Sequence, residues 1–253
     1  MTHGLFDVDG KVALVTGGTS GIGQMIARGL VEAGARVYVS SRKADACAAA
    51  EAETGAVGIP ADLSSEDECV RLASEIGARE DRLHLLVNNA GATWGAPLEE
   101  FPAHAWDKVL DLNLKAPFFL TRAFLPLLEA AASVDDPGRV INIGSIDGLR
   151  VPEAPNYSYS ASKAAVHQLT RVLARDLGPR RITVNAIAPG PFPSRMMRAT
   201  LEEAGEEIAE SAPLGRLGQP SDVVGATLFL AAAAGSYVTG AIIPVDGGIW
   251  TTR

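Results

Sequence analysis

Short apolar runs alternate with longer segments of helical spacing along the whole chain. Residues 11–16 (Lys-Val-Ala-Leu-Val-Thr) form a β-branched run that stops at glycines, the pattern of a buried parallel strand. In 22–33, Ile22, Ile26, Leu30 and Ala33 share one helical face, and Gly34 ends it. The same reading predicts strands over 36–40, 56–60, 83–88, 139–144, 181–186 and 241–245. Helices are predicted over 45–53, 65–77 (with Ser64 or Ser65 as its cap), 104–131, 155–177 and 222–234. Seven strands separated by helices predict an α/β fold, a doubly wound seven-stranded parallel sheet with helices on both faces. No proline- or serine-rich linker and no internal repeat divides the chain, so 1–253 reads as a single domain.

Composition narrows the function classes. Hydrophobic residues at 47% and charged residues at 21% exclude a disordered tail, a collagen-like repeat and a disulfide miniprotein. With 22 basic and 30 acidic residues the net charge is −8, without the basic excess of a nucleic-acid binder. Cys47 and Cys69 have no C-x-x-C spacing, which argues against a disulfide framework and for a reducing cytoplasm. Residues 1–10 carry Asp7 and Asp9 and no long apolar core, unlike a signal peptide. The longest apolar stretch, around 226–234, falls short of the ~18–20 residues that span a bilayer. A cytoplasmic protein with neither nucleic acid nor membrane as partner is expected. The four histidines, at 3, 84, 104 and 167, lack metal-ligand spacing, so no metal is expected, and His167 reads as helix packing.

The candidate chemistry begins at Thr16-Gly-Gly-Thr-Ser-Gly-Ile-Gly23. Gly17, Gly21 and Gly23, with Thr19, Ser20 and Ile22 between them, join the first strand to the first helix. Such a turn lets the backbone approach a pyrophosphate at the positive end of a helix, and its place in an alternating sheet favours this over a tight turn without ligand. At the end of the second strand, NAD-preferring sites place a carboxylate for the ribose 2′-hydroxyl. This chain has Ser41, Arg42 and Lys43 there, which suit a 2′-phosphate. NADP(H) is the expected cofactor and NAD(H) a possible one, the alternative being a solvated basic turn.

Further motifs follow in order. Asn88-Asn-Ala-Gly91, Asn113 in Asp-Leu-Asn-Leu, Ser145 after the fifth strand, Tyr159-Ser-Ala-Ser-Lys163, Pro189-Gly190 and Asp246-Gly-Gly248 together resemble the short-chain dehydrogenase/reductase family almost end to end. The resemblance implies a Rossmann fold with strand order 3-2-1-4-5-6-7 and a catalytic set of Asn113, Ser145, Tyr159 and Lys163. Asn113 would hold a water linking Lys163 to solvent, and Lys163 would also bind the nicotinamide ribose. Asp62 and Leu63 are implied at the adenine, and Asn89, Ala90, Gly91, Pro189, Gly190 and Phe192 elsewhere along the cofactor. Ser194 is implied near the nicotinamide carboxamide. The resemblance also implies a substrate lid at about 192–214 and a homo-oligomer, dimer or tetramer. Ser20 departs from the pattern, since many NADP-linked members carry a basic residue there.

Tyrosine and lysine four residues apart share a helix face. An adjacent ammonium is expected to lower the Tyr159 pKa and make it a general acid for reduction and base for oxidation, with Ser145 binding the carbonyl. Tyr157 lacks such a partner, because Ala161 stands four residues on. The expected function is NADPH-dependent reduction of a ketone, a 3-oxoacyl thioester or similar carbonyl, to a secondary alcohol. Segments 21–27, 140–145 and 188–196 resemble in particular bacterial β-ketoacyl reductases of the rhamnolipid-associated type. The acidic segment 129–136 lacks the basic docking surface that a carrier-protein substrate would want, so a coenzyme A thioester or a free ketone is as plausible as a carrier-bound one. The alternatives are a sugar-acid or polyol dehydrogenase and, against the intact catalytic set, a non-catalytic nucleotide-binding regulator. In the segment 192–214, Met196, Met197, Leu201 and Ile208 are expected on an apolar face opposite solvated glutamates, either over the active site or as plain packing. Phe118, Phe119, Leu120, Phe124 and Leu127 supply bulky side chains for subunit contact.

Overall fold

The computed structural model describes residues 4–194 and 196–252, so His3 and Arg195 lie outside it. The β-branched runs become strands β1 (Val12–Thr16), β2 (Arg36–Ser41), β3 (Val57–Pro60), β4 (Leu85–Asn88), β5 (Gly138–Ile143), β6 (Ile182–Pro189) and β7 (Ile242–Val245). Around them lie α1 (Gly21–Glu32), α2 (Ala44–Thr54), α3 (Glu66–Gly77), α4 (Ala103–Leu110), α5 (Ala116–Ala131), α6 (Tyr157–Leu177), α7 (Arg198–Ser211), α8 (Pro220–Ala231) and the short α9 (Ile249–Thr252). All strand pairs are parallel, in the expected order β3-β2-β1-β4-β5-β6-β7. No helix among the described residues is long and apolar enough to cross a membrane.

Alternate residues of each strand feed two cores. Leu14, Tyr38, Leu86, Val140 and Val184 face a layer that includes Leu72 and Ile76 of α3, Leu120 and Phe124 of α5, and Leu173 of α6. Ala13, Val15, Val37, Val39, Val87 and Ile141 face Ile26 and Leu30 of α1 and Val223 and Leu230 of α8. Burial of the sheet on both faces explains why its strands read as continuous apolar runs.

The expected helix over 104–131 is divided. A π turn at Asp111–Lys115 separates α4 from α5, adding a residue to the helical repeat and rotating the following face. The aromatic stripe is corrected as well. Leu120 and Phe124 are core residues, Phe119 and Leu127 pack against that core, and Phe118 alone of the five is exposed. The pairing of α5 with α3 takes up the face that carries Leu120 and Phe124.

A buried polar ladder sets the position of α6 on the sheet. Asn88 Nδ2 donates to Asn142 Oδ1 at 2.9 Å, Asn142 Nδ2 donates to Thr170 Oγ1 at 2.9 Å, and Thr170 Oγ1 donates to Val166 O at 2.8 Å. The ladder crosses from β4 through β5 into α6. Asn142→Ala strands its partners in a dry interior and is expected to cost about 2 kcal/mol or more of stability. Urea unfolding checks this, and an unchanged midpoint would show that the ladder carries no weight.

Candidate active site

The carboxyl ends of the strands meet at one edge of the sheet, and the crevice opens where the strand order reverses between β1 and β4. Gly17 has φ +64°, and a Cβ there would stand 3.0 Å from Ala90 Cα and from Asn89 Nδ2. At Gly23 a Cβ would come within 2.3 Å of Asn89 Nδ2 and 2.4 Å of Gly17 O. Only glycine fits either position. The Thr16 hydroxyl accepts from Asn89 N (2.9 Å) and Ala90 N (3.0 Å), while Asn89 Nδ2 donates to Thr16 O (2.8 Å) and Gly17 O (3.2 Å). The start of α1 carries no acid in its first turn, and Ser20 makes no side-chain cap there. A tight glycine turn before an uncapped positive helix end fits a pyrophosphate.

Ser41 ends β2, and the exposed Arg42 and Lys43 follow it. Neither cation forms a salt bridge among the described residues. Asp62 accepts from Ser64 N (3.2 Å) and Ser64 Oγ (2.8 Å), which orders the turn after β3. Leu63, Asn89 and Phe192 turn their side chains inward: Leu63 and Phe192 are core residues, and the Asn89 amide is spent on the loop after β1. Leu63 and Phe192 are left with backbone atoms to offer a cofactor. Gly190 donates its amide to Val245 O at 3.0 Å, beside Pro189 at the end of β6. A Cβ at Gly21 would lie 3.1 Å from Ser194 Cβ, so the segment after β6 closes against the glycine loop.

The four expected catalytic residues converge. Tyr159 and Lys163 occupy the first two turns of α6, and the Tyr159 phenol stands near Ser145, which follows β5. The buried Lys163 donates from Nζ to Ile143 O at 2.7 Å, and its Nζ lies 5.5 Å from the centroid of the Tyr159 ring. Asn113 sits in the π turn, only 2% exposed. Its Nδ2 donates to Ala92 O (2.9 Å) and Ser162 Oγ (3.0 Å), and its Oδ1 accepts from Ala92 N (2.8 Å). Ser162 Oγ in turn donates to Tyr159 O at 2.7 Å. The asparagine side chain therefore cross-links the loop after β4 to α6, and both its donors are committed.

The expected lowering of the Tyr159 pKa is corrected. Burial pushes the phenol up to about 12, with the Asp147 charge adding to the rise and the Ser145 hydrogen bond opposing it. Desolvation brings Lys163 down to about 8. Sharing a helix face does not set the sign here, because the lysine head is turned to a main-chain carbonyl and both groups are desolvated.

Around these residues stand groups that no motif marks. Asp147 and Arg150 follow Ser145, and Asn156 immediately precedes α6. Trp250 Nε1 donates to Leu149 O at 3.1 Å, tying α9 to the same loop. Asp246 accepts from Gly248 N (3.0 Å) and Trp250 N (2.7 Å), so the Asp-Gly-Gly segment serves as a turn that seats α9. Ile146, Ala212 and Ile249 form a small cluster apart from the two sheet cores, with Trp250 against it. In the expected lid, α7 is kinked at Ala204, and Met196 is exposed. Leu201 lines a shallow surface concavity with Pro193, Ser194 and Arg198.

His167 lies one turn beyond Lys163, buried as expected, against Gly144, where a Cβ would come within 2.1 Å of Nε2. Desolvation, helped by the charges of Lys163 and Arg171, lowers its pKa from 6.5 to about 4. The unfolded chain takes up this proton near pH 6.5 and the folded chain only near 4, so stability falls as pH drops through that window. His167→Gln is expected to remove up to roughly 3 kcal/mol of the acid-induced loss. Urea titrations of both proteins at the two ends of the window measure it, and equal losses would exclude His167 as the source.

A family model described as enoyl-(acyl carrier protein) reductase matches residues 17–250. The chain is 50% identical to the rhamnolipids biosynthesis 3-oxoacyl-[acyl-carrier-protein] reductase of Pseudomonas aeruginosa, covering 97% of this chain and 98% of that one. It is 39% identical to the galactitol 2-dehydrogenase (L-tagatose-forming) of Cereibacter sphaeroides, over 97% and 98% of the two chains. Its fold superposes on the solved Pseudomonas aeruginosa RhlG/NADP active-site complex with TM-score 0.95 and 48% identity, covering 98% of this chain and 100% of that one. With its motifs gathered at one sheet edge and relatives matching nearly end to end, the chain belongs to the short-chain dehydrogenase/reductase family.

Proposed function

We propose that the protein is an NADP(H)-dependent oxidoreductase that reduces a ketone, a 3-oxoacyl thioester or similar carbonyl, to a secondary alcohol. The observation that carries this reading is the convergence of Ser145, Tyr159 and the buried Lys163 at the sheet edge that also holds the glycine turn. NADPH, when bound, supplies the hydride. Ser145 and Tyr159 orient the carbonyl oxygen by hydrogen bonds. Tyr159, a protonated phenol at neutral pH, gives its proton to that oxygen as negative charge develops. Lys163 returns a proton to the tyrosine side of the site. Asn113 acts through Ser162 to hold the start of α6, so it is a positioning residue by its side chain. Gly17, Thr19, Ser20, Gly21, Ile22 and Gly23 would cradle the pyrophosphate, and Ser41, Arg42 and Lys43 the 2′-phosphate. Asp62 would approach the adenine, and Ala90, Gly91, Pro189, Gly190 and Ser194 the nicotinamide half.

The segment 192–214 is read as the substrate lid. The reading also places the enzyme in the cytoplasm, consistent with two unpaired buried cysteines. It makes the enzyme a homo-oligomer through exposed apolar groups such as Trp106, Phe118 and Val172 on α4, α5 and α6. A second reading, oxidation of a polyol or sugar acid, is favoured by the galactitol 2-dehydrogenase relative.

Tyr159→Phe removes the transferable proton and keeps the ring. The turnover number for ketone reduction is expected to fall by about 100-fold or more with NADPH binding nearly intact, and near wild-type turnover would remove Tyr159 from its role. Arg42→Ala is expected to weaken NADPH binding by about 1.5–3 kcal/mol and leave NADH binding almost unchanged. Equal losses in fluorescence titrations with the two cofactors would make Arg42 a structural residue.

A further inference from the structure

The loop behind Ser145 carries polar groups that hydride and proton transfer leave unused. The Asp147 amide donates to Ser145 Oγ at 3.1 Å, and its carboxylate accepts from Asn156 Nδ2 at 3.2 Å. Because that bond fixes which end of the Asn156 amide faces the carboxylate, Oδ1 points away, and it is buried without a partner. Arg150 Nε is likewise buried and unpartnered. Arg150 acts on Asp147 through its charge, yet the two form no ion pair. A carboxylate, an orphan donor and an orphan acceptor thus lie along the loop that runs from the serine to α6, with the acceptor brought back to the carboxylate by the Asn156–Asp147 bond.

Buried polar atoms without partners are expensive, and an aliphatic chain laid over them would leave each unsatisfied. A hydroxyl resolves the cluster, because one group can both donate to a carboxylate or amide oxygen and accept from a guanidinium N–H. We propose that Asp147, with Asn156 and Arg150, forms a hydroxyl-binding subsite beside the reacting carbonyl, so that the preferred substrate is a ketone with a hydroxyl on a neighbouring carbon. The inference rests on the ketone-reductase reading and narrows its substrate. Asp147 is the specificity-determining residue of the three. Its main chain is tied to the carbonyl-binding Ser145, and its charge makes the strongest hydrogen bond to a substrate hydroxyl.

The test compares 1-hydroxy-2-butanone with 3-pentanone, which differ by a hydroxyl in place of a methyl. With NADPH, kcat/KM for the two ketones is measured on wild type, Asp147→Ala and Asp147→Asn. The ratio between the ketones does not depend on the folded fraction of a preparation. Dividing a variant's ratio by the wild-type ratio also cancels the intrinsic activation of a carbonyl by its hydroxyl. The hydroxyketone preference is expected to fall by about tenfold or more in Asp147→Ala, and by less in Asp147→Asn, which keeps an acceptor. An unchanged or raised ratio in Asp147→Ala overturns the subsite while leaving the reductase reading in place. So does a wild type that reduces 3-oxoacyl thioesters but neither small ketone. Absence of turnover on every carbonyl would instead defeat the reductase reading itself.

Discussion

Where β1 and β4 part, the chain leaves the sheet in opposite directions, and the main-chain groups at the split lose their ladder partners. One hydroxyl and one amide meet this demand. The Thr16 side chain takes the amides of Asn89 and Ala90, and the Asn89 side chain takes the carbonyls of Thr16 and Gly17. Much of the site follows from that tie. The Asn89 amide occupies the space a Cβ would need at Gly17 and Gly23, so the loop must be glycine at both. With its carbonyls bound from below, the turn delivers α1 with its positive end open to the crevice.

The reaction centre obeys a second constraint, desolvation. Tyr159 and Lys163 are drawn into the structure by α6, and burial moves each toward its neutral form, up for the phenol and down for the ammonium. A charged pair would have needed an environment to match. What surrounds them is a main-chain carbonyl, a serine hydroxyl, an asparagine whose donors are spent on cross-links, and the negative charge of Asp147, which adds to the rise of the phenol. The result is a phenol and an amine held side by side at a fixed height above the sheet.

Much of this was legible in the chain itself. Alternating runs of two periods carry the sheet and its helices, and motifs in a fixed order carry the glycine turn, Ser145, Tyr159 and Lys163. The π turn at 111–115 was not legible, because the apolar spacing of α4 and α5 continues across it and a single inserted residue leaves no mark in composition. The sign of the Tyr159 shift was hidden for another reason: spacing shows which groups are neighbours, but depth is a property of the packed molecule. The inward turn of Leu63, Asn89 and Phe192 belongs to the same class. Asp147, Arg150 and Asn156 match no motif, and only folding brings an acid after β5 beside an amide that precedes α6.

The satellite cluster of Ile146, Ala212 and Ile249 has an evolutionary reading. It joins the loop after Ser145, the end of α7 and the helix α9, and it shares no member with either sheet core. Substitutions there change how these three parts meet while leaving the packing that keeps the sheet folded untouched. The surroundings of Ser145 and the body of the sheet are thus built on separate sets of residues, and a scaffold arranged in this way can vary the one while the stability of the other stays still.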